Sequence, residues 1–479
     1  KQWETDLQMN ARGVAADMEL VRGALVIGAI VKSRLMTEAR QLSGLDNPNS
    51  IRQLAQWLTD ATDSDAEITS VTKETVATML KQPQPANVQR MLEIRQELGK
   101  TSTKKYDALE TCIADDGRVR GLLQFYGANR TGRWAGRLVQ VQNLPRTYTH
   151  PLPPARQLVK DRNIDGLRMM YGSINDTLSQ LIRTAFVATP GNVLIDADFS
   201  AIEARVISWL AGQEWRLEVF RTHGKIYEAS ASQMFHVPIE KIKKGNPEYA
   251  LRQRGKVAEL ALGYQGGVSA MRRMDVGHNL DDLSDDEVKG IVDRWRETSS
   301  MIRDLWNIVD SAAITVITNG GAQTIRSETT DAIITLACEL DVITGTRYMT
   351  ILLPSGRKLY YPSPEIGVNR WGNPSVSYTG QNQTTKRWER VETYGGKLVE
   401  NIVQAIARDC LAIAIENLEA QGLHVVFHIH DEVVIDTPAW ADEDTMLETV
   451  TKIMTKPIPW AQALPLNADG WVDKFFKKD

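Results

Sequence analysis

From residue 1 to about 105, apolar positions recur three and four apart. The stretches "VRGALVIGAIVKSRLMTEARQL" (21–42) and "NVQRMLEIRQELGK" (87–100) show this best, and no two-residue alternation interrupts them. The spacing predicts a mainly helical arm. After "KTSTKKYDAL" (100–109) the pattern changes: between 111 and 205 it predicts short strands, broken by glycines and by "HPLPPARQL" (150–158). Helical spacing returns from about 206 to 310. Strand and turn signals follow in "MTILLPSGRKLYYPSP" (349–364) and "GVNRWGNPSVSYTG" (367–380), then a long helix at 395–422. The last element, "LHVVFHIHDEVVID" (423–436), reads as a hairpin turning at or near His430-Asp431-Glu432. The fold class is α+β with a helical arm, not a βαβ array.

Composition narrows this picture modestly. A chain of 479 residues exceeds one hydrophobic core, so two or three subdomains are expected. With 56 basic and 60 acidic residues the net charge is −4, so any surface for a polyanion must be local. Cys112, Cys338 and Cys410 are far apart and form no CxxC pair. That argues against a disulfide framework or a cysteine-rich zinc site and fits a reducing cytoplasm. The longest apolar run, "GALVIGAIV" (23–31), is too short to cross a bilayer and reads as a buried helix segment. The first residue is Lys1, not methionine, which suggests removal of upstream residues.

Three stretches carry candidate chemistry. In "VLIDADFSAIEARVISWLAG" (193–212) an apolar strand leads through Asp196 and Asp198 to Ser200 and Glu203, spaced as a capping box that opens a helix. Asp198 then stands at a strand-to-helix junction, a position suited to a metal-binding acid; turn residues and a plain cap would look the same. In "LRQRGKVAELALGYQGG" (251–267), Arg252, Lys256, Leu260 and Tyr264 recur every fourth residue. On a helix they form a stripe about 18 Å long, at a rise of about 1.5 Å per residue. Two cations and a ring in that order suit a nucleoside triphosphate lying along the helix, and a solvated basic face fits equally well. In "TGRWAGRLVQVQNLPR" (131–146), arginines mix with Gln140, Gln142 and Asn143, groups that can donate to phosphates, sugars or base edges, as a polar loop also would.

Taken in order, these stretches resemble the DNA polymerase I-like, family A DNA polymerases. "DFSAIEAR" (198–205) is similar to the family's first palm motif, "RQRGKVAELALGY" (252–264) to its fingers-helix motif and "HDE" (430–432) to its third motif. "TGR" with "VQNLP" resembles the duplex-contacting segment, and "VQAIARD" (403–409) a conserved family helix; the likeness runs from about residue 5 to the end. The resemblance implies a right-hand polymerase with an antiparallel-sheet palm, helical fingers and helical thumb. The divisions it implies are thumb 1–105, palm 106–205, fingers 206–387 and a second palm part 388–479. It further implies that Asp198 and Asp431 bind two Mg²⁺ ions (Mn²⁺ able to substitute), with the Phe199 carbonyl as an extra ligand and Glu432 as a neighbouring acid. Arg252 and Lys256 are implied to hold the triphosphate, and Lys256 to protonate the leaving pyrophosphate. Tyr264 borders the nascent pair, and Glu203 selects against a 2′-hydroxyl. Arg133 and Gln404 probe the primer-terminal pair, with Gln142 and Asn143 also on DNA, and His430 lies near the primer end. Leu260 and Tyr227 stand where the family usually has an aromatic and a histidine, so discrimination at the sugar 3′ position and one phosphate contact are expected to differ. The implied partners are primer-template DNA and dNTPs, with accessory replication proteins possible and no membrane. The expected protein is a monomer in a bacterial or phage-infected cytoplasm. Thumb-like sequence from the start leaves no room for an exonuclease domain within the chain.

Three rival readings fit less well. His424, His428 and His430 share a strand face by the two-residue period, but "HIHDE" lacks the last histidine of a metallo-hydrolase HxHxDH pattern. "IRQELGKT" (94–101) ends like a P-loop, yet Ile94 fills its first glycine position and Gly99 reads as a helix terminator. A DNA-binding relative without catalysis is disfavoured by the intact Asp198, Asp431 and Lys256.

Overall fold

The computed structural model describes every residue except 63–67, 101, 102, 370, 371, 383 and 479, so Thr101 of the P-loop-like stretch and Arg370 and Trp371 of the 367–380 stretch lie outside the described residues. The arm is helical as its periodicity predicts. Helix α1 (Met18–Ser43) starts where the Asp17 carboxylate accepts the Leu20 N–H at 3.1 Å and stops at Gly44, whose φ of 69° suits a residue without Cβ. Its Val21, Ala24 and Ile27 are buried in the main core, while Ala39 joins Leu54, Leu58, Met91 and Leu92 in a smaller, separate core. The arm thus has apolar packing of its own, in keeping with the length argument. The helix Ala86–Leu98 ends at Gly99 as expected, although Gly99 keeps right-handed helical angles.

Val14–Ala16 interrupts the helical arm as a short strand paired with Arg118–Val119 and with Phe186–Val187. Three residues are too few to show an alternation. Gly13, at a φ of 63°, turns the chain into this strand.

The centre is a four-stranded antiparallel sheet: β1 (Asn192–Phe199), β2 (Val425–Ile429), β3 (Glu432–Pro438) and β4 (Ala468–Asp473), in the order β2-β3-β1-β4. Leu194, Ile195, Ala197, Val433, Val434 and Ile435 are fully buried, which accounts for the near-continuous apolar runs in the sequence. Gly470 lets β4 close on β1, because a Cβ there would lie 1.9 Å from the Asp196 carbonyl oxygen. Helix α2 (Ile202–Ala211) follows β1 directly. Helix α3 (Tyr249–Leu262) lies in the helical region up to Asn319. Two further antiparallel sheets then form where strand and turn signals stood, one of four strands (322–362) and one of three (365–393). Helix α4 (Gly395–Glu419) packs its apolar length against α2 and returns the chain to β2, and α5 (Glu443–Met454) packs against α4.

Candidate active site

The β1–α2 junction is a tight elbow. Ala201 takes a φ of 51°, and the Arg205 guanidinium fixes the bend by donating to the Ser200 carbonyl at 2.6 Å and the Pro465 carbonyl at 2.8 Å. The expected capping box does not form, since α2 has no side-chain cap. A left-handed residue at 201 takes Ser200 and Glu203 out of the reciprocal geometry, and Ser200 instead meets Asn467. The β2–β3 hairpin turns at His430-Asp431, with His430 at a φ of 53°. The Phe199 N–H donates to the Asp431 carbonyl at 3.1 Å, so this turn is seated against the end of β1. Register places Glu432 opposite Asp198 and Val434 opposite Asp196. Two segments more than two hundred residues apart thus deliver Asp198 and Asp431 to one place.

The carboxylates there are crowded. Burial and the Asp198 charge push Asp431 up to about 8. Burial also raises Asp198, partly offset by the Lys478 ammonium and by a hydrogen bond with Asp431. Behind them, Asp196 is held well above the usual carboxylate range by burial and by Glu432 beside it. Glu432 is completely buried and is met by Lys478, whose ammonium also donates to Asp198 at 3.0 Å. One Asp198 oxygen (Oδ1) and one Glu432 oxygen (Oε1) are buried with no hydrogen-bond partner among the described residues. Paired carboxylates with an unpartnered oxygen and suppressed ionisation are what a divalent cation would relieve, so the donor set fits a hard metal ion. Among the described residues no group of three or more His, Cys, Asp or Glu side chains could hold a metal, so the side-chain donors here are the pair Asp198 and Asp431.

Beside this pair a cleft of about 320 Å³ opens between α2 and α3, with Glu203, Tyr227, Leu260, Tyr264 and Asp431 among its lining residues. Glu203 is held from two sides: Tyr264 donates its hydroxyl to it at 2.7 Å and Arg133 its guanidinium at 2.6 Å. Desolvation and the Glu203 charge raise Tyr264 well above its ordinary value, keeping it a donor. Arg252 donates from Nε to Glu228 at 2.7 Å and lies over Tyr227, 5.5 Å from the ring centre; its two Nη groups have no hydrogen-bond partner among the described residues. Lys256 is exposed and unpaired among the described residues. Leu260 is 49% exposed toward the cleft, which a buried packing role would not allow.

The other expected contacts are more scattered. Gln404 is the half-exposed position on a buried part of α4, and its amide donates to Glu400 at 3.4 Å. Gln142 and Asn143 sit on the short helix Val141–Asn143; the Gln142 oxygen packs against Gly136, while Asn143 is exposed. His430 is lowered by desolvation and by Arg133 and Lys478 near it. The three histidines do not converge. A bulge between Val425 and Phe427 breaks the two-residue period, so exposed His424 bonds Glu419 at 2.9 Å, while buried His428 meets the edge of Trp134.

Three features were missed from sequence. Lys478 is one: it lies 280 residues from Asp198, in a lysine pair that looks like a solvated tail. The second is the buried ion pair of Arg216 with Glu259 at the back of the cleft, where Glu259 also accepts the Trp295 N–H at 2.9 Å. The third is a cavity of about 570 Å³ on the other side of Arg252, lined by Lys225, Lys243 and Lys244. The "KIKKG" run was the available signal for the last.

Comparison with known proteins identifies the family. The family described as DNA polymerase family A matches residues 30–326. A DNA polymerase of Bacillus phage SP02 is 47% identical over this whole chain, which covers 70% of that protein. The thermostable DNA polymerase I of Thermus aquaticus is 24% identical over 90% of this chain, which spans 42% of its length. Among solved structures, the POL domain of Pol1 from M. smegmatis, in complex with DNA primer-template and dNTP, superposes with a TM-score of 0.63 over 99% of this chain and 69% of its own, at 19% identity. The chain belongs to DNA polymerase family A and is a DNA-directed DNA polymerase.

Proposed function

We propose that this chain extends a primer at the cleft between β1, the β2–β3 turn and α3, with Asp198 and Asp431 as the metal-binding carboxylates. The observation that carries this is the delivery of both acids to one buried point, where burial and the Asp198 charge raise Asp431 and burial raises Asp198. Two bound Mg²⁺ ions would supply Lewis-acid stabilisation of the attacking and leaving oxygens, the use of paired metals that is general for polymerases. The protein's own groups do the rest.

Lys256, unpaired on α3, and the free Nη groups of Arg252 offer donors in line for triphosphate oxygens. On this reading Lys256 also protonates the leaving pyrophosphate. Glu203 is fixed by Tyr264 and Arg133, so a rigid carboxylate forms the cleft floor and a ribose 2′-hydroxyl would meet it. Leu260, smaller than an aromatic ring, leaves the sugar's 3′ side more open. Arg133 lies near enough to His430 and Asp431 to affect both, which supports its place at the primer end. The partners are then primer-template DNA and dNTPs, as in the M. smegmatis complex. The thumb, palm and fingers divisions at 105, 205 and 387, and a bacterial or phage-infected cytoplasm, belong to the same reading.

The test is primer extension with Mg²⁺ and four dNTPs. Asp198→Ala and Asp431→Ala should each lose about 10²–10³-fold or more, as when a transition-state stabiliser is removed. Activity equal to wild type in either variant would sink the assignment. An inactive wild type that still binds primer-template would identify a binding-only relative.

A further inference from the structure

We propose that a groove between the loop 127–131, the three-stranded sheet 365–393 and the first turns of α4 receives the unpaired segment of the template strand. The inference rests on the polymerase reading above and adds a strand-specific surface to it.

Position is the first support. The Gly396 N–H donates to the Gln265 side chain at 3.1 Å, and a Cβ at Gly396 would lie 2.7 Å from the Tyr264 carbonyl oxygen. The start of α4 therefore touches the residue that closes the nucleotide cleft. Gln404 borders the same groove one face further along, so the groove begins where the primed end is proposed to lie.

Chemistry is the second. The groove, about 580 Å³, is flanked by two large rings left open to solvent, Tyr360 at 56% and Trp388 at 65% exposure. Neighbouring aromatics are packed away: Tyr378 is buried edge-on against Tyr361 at 5.0 Å. Arg130 lies over Tyr378 and donates to the Gln381 carbonyl at 3.2 Å, which fixes a cation in the groove wall. Exposed Lys386 and Arg387 precede Trp388. Glu400, the acid lining the groove, pairs with Lys397 at 2.7 Å, which leaves Arg130 as the further lining cation.

Exposed rings interleaved with cations are the chemistry of single-strand binding. Cations follow the phosphates, and every unpaired base offers a face on which an aromatic ring can stack. In a duplex those faces are covered by neighbouring base pairs, and contact is through phosphates and groove edges. A duplex laid across the groove would leave Tyr360 and Trp388 idle.

The test measures binding of the full chain, in chelator, to a blunt duplex and to the same duplex with an unpaired template 5′ extension of about ten nucleotides. Wild type should bind the extended substrate more tightly. Trp388→Ala and Tyr360→Ala, both at exposed positions, should each weaken that binding about tenfold and leave the blunt duplex unchanged. A 2-aminopurine in the extension should be quenched by wild type and less so by either variant. Equal losses on both substrates would make this a duplex surface and overturn the proposal, as would no loss on either. Chelator removes any dependence on metal binding, so failure here leaves the assignment of Asp198 and Asp431 untouched, and failure there does not affect this result.

Discussion

At the scale of single residues, the clearest property of the site is suppressed ionisation. Asp431 has a folded value of about 8 against an ordinary 3.8. An acid raised in the folded state contributes stability that is present below its unfolded value and lost as pH rises through the folded one. Metal-free protein should therefore lose stability from about pH 4 to about pH 8 on this account, and Asp431→Asn should flatten that slope. Mg²⁺ should stabilise wild type more at the alkaline end, where the carboxylates are charged. Thermal melts in chelator and in Mg²⁺ check this; parallel slopes in wild type and variant would mean that Asp431 titrates normally. Glu203 gives a second prediction. Glu203→Ala frees Tyr264 and Arg133 together, and should lower the dNTP-over-rNTP preference by at least about tenfold, within the ~1–3 kcal/mol that one pocket contact controls. Single-nucleotide incorporation measures it, and an unchanged ratio would leave Glu203 a structural anchor for Tyr264. Asp198 and Asp431 were legible because their motifs are local and ordered. Lys478 was not, since nothing near it in the chain predicts that a terminal lysine reaches back to Glu432.

At the scale of elements, periodicity located the strands and helices that build the site but not how one meets the next. The hairpin turn at His430-Asp431 formed as its spacing required, and Arg252, Lys256 and Leu260 share α3, but the helix ends at Leu262, so Tyr264 stands in the turn that follows it rather than on the stripe. The capping box failed because Ala201 adopts a left-handed conformation that residue type alone does not announce. The face proposed for three histidines failed for a similar reason, a bulge that shifts the register of β2. Helix α3 is itself set by a contact that no local pattern reveals: Gly255 lies against the Tyr227 carbonyl, 2.3 Å from where a Cβ would stand, and Glu259 buries its charge on Arg216. Removing one partner of such a pair leaves an isolated buried charge. Arg216→Met should therefore cost about 3–5 kcal/mol, and adding Glu259→Leu should recover much of it. Urea unfolding of the two single variants and the double variant decides; simple additivity would show that the two side chains act independently.

At the scale of the whole molecule, the described residues form one large hydrophobic core and a smaller one confined to the arm. The charge total was the least informative number. A net charge of −4 conceals a division of labour: Asp196, Asp198, Asp431 and Glu432 gather acidity at one point, while cations stand along the surfaces around it. Arg252 with Lys225, Lys243 and Lys244 lies on one side of the cleft, and Arg130 with Lys386 and Arg387 on the other. Composition averages these regions to nearly nothing, which is why it could not identify the polymer this enzyme copies. Binding should respond to the local charge rather than the total. Each phosphate neutralised releases counterions and adds about 0.9 to the slope of log affinity against log salt. Primer-template affinity measured at several salt concentrations should fall with a slope steeper than about −3, which corresponds to more than three neutralised phosphates. Replacing Lys386 and Arg387 together by Gln should make that slope shallower by about one to two on the substrate with an unpaired extension and leave it unchanged on the blunt duplex. A nearly flat dependence for wild type would mean that the acidic total prevails and that DNA is held chiefly by uncharged contacts.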